Sequence, residues 1–215
     1  MDVPSLERFL RSRLVGPLPG PAAQLRFAPR PIRHGWEPHL EPEGSRQAAA
    51  LVLVYPGADG PAVPLTVRRD DLPHHPGQIS LPGGRVDTGE QPEDAALREA
   101  FEEIGVLPNE VRLVGPLSPL WVVVSNHVVR PFVAIADHRP AFQLAPREVA
   151  ELVEAPMSAI RDMGRLGWTR RAREGIVIDY PYFELAGHEV WGATAMILGE
   201  FAALFAPEFA PPPFS

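Results

Sequence analysis

Residues 84–106 read GRVDTGEQPEDAALREAFEEIGV, and the spacing inside this stretch decides how the rest of the chain is read. It fits G-x5-E-x7-R-E-U-x-E-E-x-G-U, where U is apolar, with Gly84, Glu90, Arg98, Glu99, Glu102, Glu103 and Gly105 at the fixed positions. With each residue type at about 5 to 9% of an average protein, seven such coincidences have odds on the order of one in a million. The pattern is therefore treated as a site. Pro92 to Ile104 has helical periodicity, with Pro92 tolerable in the first turn and Gly105 just past the end. At about 100° per residue, Ala96, Leu97, Ala100, Phe101 and Ile104 share one arc, which is expected to be buried, while Glu99, Glu102 and Glu103 share another. Three carboxylates at i, i+3 and i+4 repel unless a cation neutralises them. Hard oxygens suit Mg²⁺ or Mn²⁺, which keep coordination positions for substrate phosphates. Gly83-Gly84 permits close backbone approach, and its carbonyls can add an oxygen ligand. Arg98 is expected to pair with Glu90 or Glu102, fixing loop to helix rather than touching substrate. A solvated acidic face would account for the glutamates, but not for Gly84, Glu90 and Arg98.

Working outward, 215 residues suffice for one well-buried core. The 27 prolines are well above the usual share of about 5%, and belong in loops and tails. A net charge of −7 argues against a general nucleic-acid binder, which needs a basic stripe. A small anionic substrate bridged by a metal remains compatible. Every basic side chain is Arg and none is Lys, so no Schiff base or Walker lysine exists. The absence of Cys excludes disulfides and thiolate chemistry. No run has the apolar length of a signal peptide or membrane span, so a cytoplasmic protein without a membrane partner is expected. The sequence leaves a homodimer open.

Pro4 to Leu14 reads as a short amphipathic helix, and Val15 to Ser45, dense in Pro and Gly, as a long irregular connection. Such a connection could lie over a substrate cleft or pack on the surface. Ala48 to Tyr55, Ala62 to Arg68, Ile79 to Leu81, Val111 to Val114, Trp121 to Val124, Val128 to Ala136 and Ile176 to Leu185 are the expected strands. Further helices are expected at Pro146 to Val153 and Gly192 to Phe205, and Pro207 to Ser215 should order only if it docks. The organisation is then residues 1–47 as a helix with a proline-rich segment, 48–206 as the catalytic domain, and 207–215 as a tail.

The 23 residues quoted first resemble the signature box of the Nudix hydrolases. Ala100 alone is small for a position usually filled by Ile, Leu or Val. The resemblance implies an α/β fold, an α/β/α sandwich around a mixed sheet, and metal-dependent hydrolysis of a nucleoside diphosphate joined to another moiety. Carried over, Glu99 and Glu103 are the principal ligands of Mg²⁺ or Mn²⁺, Glu102 an additional one and the Gly83 carbonyl a further one. The family's general base is Glu99 in some members and a carboxylate from a later loop in others. Glu148 is the candidate for that later role, and a plain helix-start glutamate beside Pro146 is the alternative. The flanks resemble the coenzyme A pyrophosphatase branch, whose upstream motif is L-L-T-x-R-[SA]-x3-R-x3-G-x3-F-P-G-G. Leu65, Thr66, Arg68, Gly77, Pro82, Gly83 and Gly84 are in register with it. Arg69 replaces a small residue, Pro73 the second Arg, and Leu81 the Phe. Trp191-Gly192-Ala193-Thr194-Ala195 resembles a W-G-x-T-A segment of the same branch, and Glu148-Val149 through Pro156 its E-V…P stretch. Arg68, Arg69, Gly77 and Gly84 are the substrate-binding candidates, with Arg69 placed to stand in for the missing arginine. His74-His75 are not assigned as ligands, since adjacent side chains on a strand or helix point apart. The expected substrate is a small diphosphate, coenzyme A or its thioesters, cut to 4′-phosphopantetheine and adenosine 3′,5′-bisphosphate. ADP-ribose, a dinucleotide polyphosphate or a nucleoside triphosphate is the alternative. A non-catalytic nucleotide-binding module would be marked by eroded box glutamates, and here all are present.

Overall fold

The computed structural model describes residues 2–71, 77–173 and 176–212. In chain order it runs α1 (Val3–Leu14), α2 (Gly20–Gln24), β1 (Arg46–Gly57), β2 (Gly60–Arg68), β3 (Ile79–Ser80), β4 (Gly83–Arg85) and α3 (Pro92–Ile104). Then follow β5 (Val111–Pro116), β6 (Leu120–Val122), β7 (His127–Ala136), β8 (Val149–Pro156), α4 (Met157–Ile160), β9 (Leu166–Arg173), β10 (Ile176–Leu185), β11 (His188–Trp191) and α5 (Gly192–Ala203). Eight strands form a mixed sheet of order β3-β2-β1-β7-β5, with β4 on β1, β6 on β7 and β8 on β2. Only β1 and β7 run parallel, and β9 to β11 make a separate antiparallel sheet.

Alternation along β1 sorts the layers. Ala49, Leu51, Leu53 and Tyr55 face the core under α3, whereas Ala50, Val52 and Val54 face the core shared with α1 and α5. A strand covered on both sides reads as an uninterrupted apolar run, as this one does. Helices on both faces make the α/β/α arrangement around a mixed sheet. Among the described residues no helix is long and apolar enough to cross a membrane.

Several expectations need correction. Residues 146–153 do not form a helix. A turn at Ala145 to Val149 leads directly into β8, which pairs antiparallel with β2. Val149, Leu152 and Val153 fit helical spacing, but eight residues cannot hold a helix against the hydrogen bonds that an open β2 edge supplies. Phe101 is 48% exposed rather than buried. The face of α3 that meets the sheet is Ala95, Ala96, Ala100 and Ile104, and small side chains there let the helix approach closely. Ala100, small for the box, belongs to that face. Residues 15–45 are partly ordered into α2 and a 3₁₀ turn at Leu25–Phe27. Phe27 is fully buried and stacks on Phe183 and Phe209. The buried Glu200 of α5 fastens this segment, accepting from Gly20 N–H (3.1 Å), Gln24 Nε2 (2.9 Å) and Ser118 N–H (3.2 Å). The described part of the tail docks, with Trp168 Nε1 donating to Pro212 O at 2.9 Å. Strands β9 and β11 were not expected, and β6 starts and ends earlier than the 121–124 reading.

Candidate active site

Helix α3 begins with Pro92 after an extended Gln91, and Glu93 and Asp94 in its first turn suit the positive end of the helix dipole. Gly105 at φ 74° ends it, with Gly105 N–H donating to Phe101 O and Val106 N–H to Ala100 O. The last carbonyls are capped from the 137–148 segment. Ala145 N–H donates to Glu103 O (2.8 Å) and Gln143 N–H to Ile104 O (2.9 Å). Three residues beyond Ala145 comes Glu148, so the sequence-distant carboxylate is delivered to the acidic face by the end of the helix itself.

On the other side of that face lies β4. Its residues pair with β1 in the register Ala50↔Gly83 and Ala49↔Gly84. A Cβ on Gly83 would enter the backbone of Ala49 and stand 2.7 Å from Ala50 Cα. A Cβ on Gly84 would collide with the Glu99 carboxylate. Both glycines are thus required by close approach, one to a strand and the other to an acid.

Arg98 organises the front of the site. Its guanidinium donates to Glu90 through Nε (2.9 Å) and Nη2 (3.1 Å), and through Nη1 to Glu99 Oε1 (2.9 Å) and Glu102 Oε2 (3.3 Å). A fifth bond reaches Arg85 O at 2.8 Å. Arg98 therefore pairs with both acids named from the sequence, and with Glu99 as well. Five bonds of this kind need the planar fork of Arg, which Lys lacks.

The acids differ by depth. Glu102 is more than half exposed, whereas the Glu99 side chain is largely covered. Burial pushes Glu99 above the usual carboxylate range, with Arg98 opposing and the Glu102 and Glu148 charges adding to it. Burial also pushes Glu103 up, to about 8, helped by the charge of Glu99 and then of Glu148, while the Gly83 N–H and Arg68 pull the other way. Glu103 Oε2 is buried and has no hydrogen-bond partner among the described residues. Leaving such an oxygen unpaired costs about 1–3 kcal/mol, more if it is charged, so the position is built for something that supplies positive charge. Among the described residues, no three His, Asp or Glu side chains close round a point as a complete metal cage would.

The structure gathers Arg68, Gly83, Gly84, Arg98, Glu99, Glu102, Glu103 and Glu148 into this one region. Arg69 lies against the turn that carries Glu148, its N–H donating to Glu148 O at 3.1 Å. Its guanidinium is held by Asp71 through two bonds of 2.8 Å and donates to Pro146 O at 3.0 Å. Gly77 makes the turn back to β2, at φ 64°, with its N–H on Arg68 O. Pro73 and His74-His75 lie outside the described residues. Sequence reasoning missed Tyr55 and Arg139, which both bind Glu154 and so hold the start of the capping segment to the sheet. Their signal was absent because the three residues lie on three separate elements. Thr194, within the W-G-x-T-A stretch, donates from Oγ1 to Ile79 O at 3.0 Å, tying the start of α5 to the strand before the glycine turn.

The chain is similar to known proteins over most of its length. A NUDIX domain profile matches residues 45–173. The chain is 37% identical over 161 residues to the uncharacterized Nudix hydrolase NudL of Citrobacter koseri, covering 73% of this chain and 81% of that one. To the uncharacterized Nudix hydrolase NudL of Photorhabdus laumondii it is 31% identical over 183 residues, covering 83% and 91%. Among solved structures, the M. smegmatis Nudix hydrolase RenU superposes with a TM-score of 0.55 at 20% identity, over 80% of this chain and 90% of that one, a likeness of fold alone. The matched segment runs from the start of β1 to the end of β9 and contains every fixed residue of the motif, and the chain accordingly belongs to the Nudix hydrolase family and is a diphosphatase.

Proposed function

We propose that the protein hydrolyses the diphosphate of coenzyme A or its thioesters, releasing adenosine 3′,5′-bisphosphate and 4′-phosphopantetheine or its acyl form, with Mg²⁺ or Mn²⁺ as cofactor. The observation that carries the metal reading is the buried, unpartnered Glu103 oxygen set among Glu99, Glu148 and the glycine turn. Glu99, Glu102, Glu103 and the Gly83 carbonyl would hold the ion. Mg²⁺ needs only one or two carboxylates, keeping its other positions for water and substrate phosphates, so an open set of hard oxygens fits it. When bound, the ion neutralises the diphosphate and stabilises the charge that develops as the bond breaks. Glu148, whose charge acts on Glu99 and Glu103, would take the proton of the attacking water, with Glu99 as the alternative. The water oxygen bonds to one phosphorus, the bridging P–O bond breaks, and two phosphomonoesters leave. Arg98 acts as a positioning residue, setting Glu99 and Glu102 while its own charge is spent on Glu90.

Support for coenzyme A comes from the upstream stretch Leu65 to Gly84 and the W-G-x-T-A segment, which the Thr194 bond to Ile79 brings together. One observation favours the other substrates: Arg69, the available substitute for the missing arginine, is already engaged by Asp71 and Pro146. A hydrolysis screen with Mg²⁺ over coenzyme A, its thioesters, ADP-ribose and diadenosine polyphosphates decides between them. A kcat/KM for coenzyme A about tenfold above the rest is expected, and preference for ADP-ribose would establish the second reading.

Two further outcomes are expected. Arg98→Lys keeps the charge but replaces the fork with a point donor, so activity should fall about 10–100-fold with the fold retained. Unchanged turnover would remove Arg98 from the positioning role. Metal binding should also release a proton. Glu103 titrates near 8 in the metal-free protein and so carries a proton at neutral pH, whereas a metal ligand must be deprotonated. Calorimetry in buffers of different ionisation enthalpy should give close to one proton released per ion at pH 7 and almost none at pH 9, with apparent affinity rising between them.

A further inference from the structure

Arg46, Arg85 and His127 sit on one face of three adjacent strands. Arg46 of β1 lies opposite His127 of β7, and Ala48, two residues along β1, lies opposite Arg85 of β4. Opposite and diagonal positions on one face are within side-chain reach. Burial holds the His127 imidazole below its ordinary value, against a backbone hydrogen bond at Ser125 that raises it, and the charges of Arg46 and Arg85 add to the lowering. Among the described residues neither Arg46 nor Arg85 has a carboxylate partner, in a chain with 27 acidic and 20 basic side chains. Arg130, three pairs further along β7 and on the other face, does have one, in Glu41. Like charges facing one another on a sheet are destabilising, so the arrangement suits an anion that is bound from outside.

The place of the cluster says which anion. Arg85 directly follows Gly84, against which the Glu99 carboxylate lies, and its carbonyl accepts from Arg98. The Gly84 side of β4 meets α3, and the Arg85 side faces the opposite core with Ala48 and Ala50. β4 is hydrogen-bonded to β1 alone and two of its three residues are glycines, so at this edge only backbone separates the two faces. Arg46 and His127 lie about 10 Å along β1 from the Gly84 pair, at roughly 3.4 Å per residue. A nucleotide cut at its diphosphate beside Glu99 would reach the cluster round the open edge of β4.

We propose that Arg46, Arg85 and His127 form an anion subsite that receives a phosphomonoester of the substrate, distinct from the diphosphate that is cut. It rests on the diphosphatase reading above and explains how a nucleotide with an additional phosphate on its ribose is selected. The arginines supply the charge-assisted donors, and neutral His127 supplies one N–H or accepts a proton as the anion arrives.

The test is equilibrium binding of adenosine 3′,5′-bisphosphate and of adenosine 5′-monophosphate to the Mg²⁺-loaded protein, for wild type, Arg46→Gln and Arg85→Gln. The wild type should prefer the bisphosphate about tenfold or more, and each substitution should lower that ratio about tenfold. Arg8→Gln on α1 should leave the ratio as it is. Thermal melts of both glutamine variants should match or exceed the wild type, because repulsion is relieved. Equal binding of the two nucleotides by the wild type, or a ratio undiminished in both variants, overturns the subsite. The measurement needs no turnover, so failure to hydrolyse coenzyme A would overturn the substrate reading while the subsite stands or falls on its own ratio.

Discussion

Glu103→Gln is expected to lower turnover by about 100-fold or more and, in the same protein without metal, to raise the melting temperature. The activity loss follows from removing an anionic oxygen where the ion would sit; even residues one shell out from a metal cost about 10–100-fold. The stability gain follows from burial. Glu103 titrates at about 8 in the folded chain against 4.5 when unfolded, so between those values the folded state binds the extra proton. Stability therefore falls as pH rises from 4.5 to 8, and the penalty is complete above 8. Glutamine carries no charge, so its advantage should be absent at pH 4, grow through neutrality and level off above pH 8. Each kcal/mol recovered corresponds to roughly 2–4 °C for a chain of this size. Saturating Mg²⁺ should reverse the order by stabilising the wild type more. A Gln variant that melts lower than wild type at pH 8.5 without metal, or that turns over normally with it, would show that Glu103 is an ordinary structural acid.

The second large effect separates two adjacent glycines. Gly83→Ala drives a methyl into the backbone of Ala49 and Ala50 in the central strand, which cannot move without breaking the β1–β4 pairing. A loss above about 4 kcal/mol, seen as insoluble or cold-labile protein, is expected. Gly84→Ala meets the carboxylate of Glu99 instead, the far end of a flexible side chain. That variant should fold with a melting temperature close to the wild type and lose activity about 100-fold, because Glu99 is pushed off its position and away from Arg98. Measuring soluble yield, melting temperature and kcat for the pair distinguishes the two cases. Equal behaviour of the two variants would falsify the assignment of one glycine to the sheet and the other to the acid.

What the sequence carried was whatever is local. Helix α3 runs between the residues that its proline and glycine mark, and its three glutamates share a face because the helix repeat puts them there. β1 is legible because a strand covered on both sides must be apolar throughout. Residues 146–153 were misread because Val149 and Val153, four apart, satisfy both the helical and the strand period, and the free edge of β2, a tertiary fact, settles which is used. β9 escaped because it is an edge strand whose arginines and glycine leave no apolar alternation. Within the site, Glu148 could be nominated from its surroundings, whereas the reason it reaches α3 depends on the helix-end carbonyls. The small Ala100 looked like a departure and is instead part of the narrow alanine face that seats the helix.

The bonds from Gln143 and Ala145 to the end of α3 have a consequence for how the site fails. They tether the loop that supplies Glu148 to the same turn that carries Glu103. The two carboxylates therefore belong to one cooperative unit of local opening: the amides of Gln143 and Ala145 cannot exchange with solvent unless the last turn of α3 is uncapped as well. Under mild denaturation the proposed base and the proposed ligand would be lost in a single step, so partial unfolding passes directly to a dead enzyme, without an intermediate that still binds metal and leaves water unactivated.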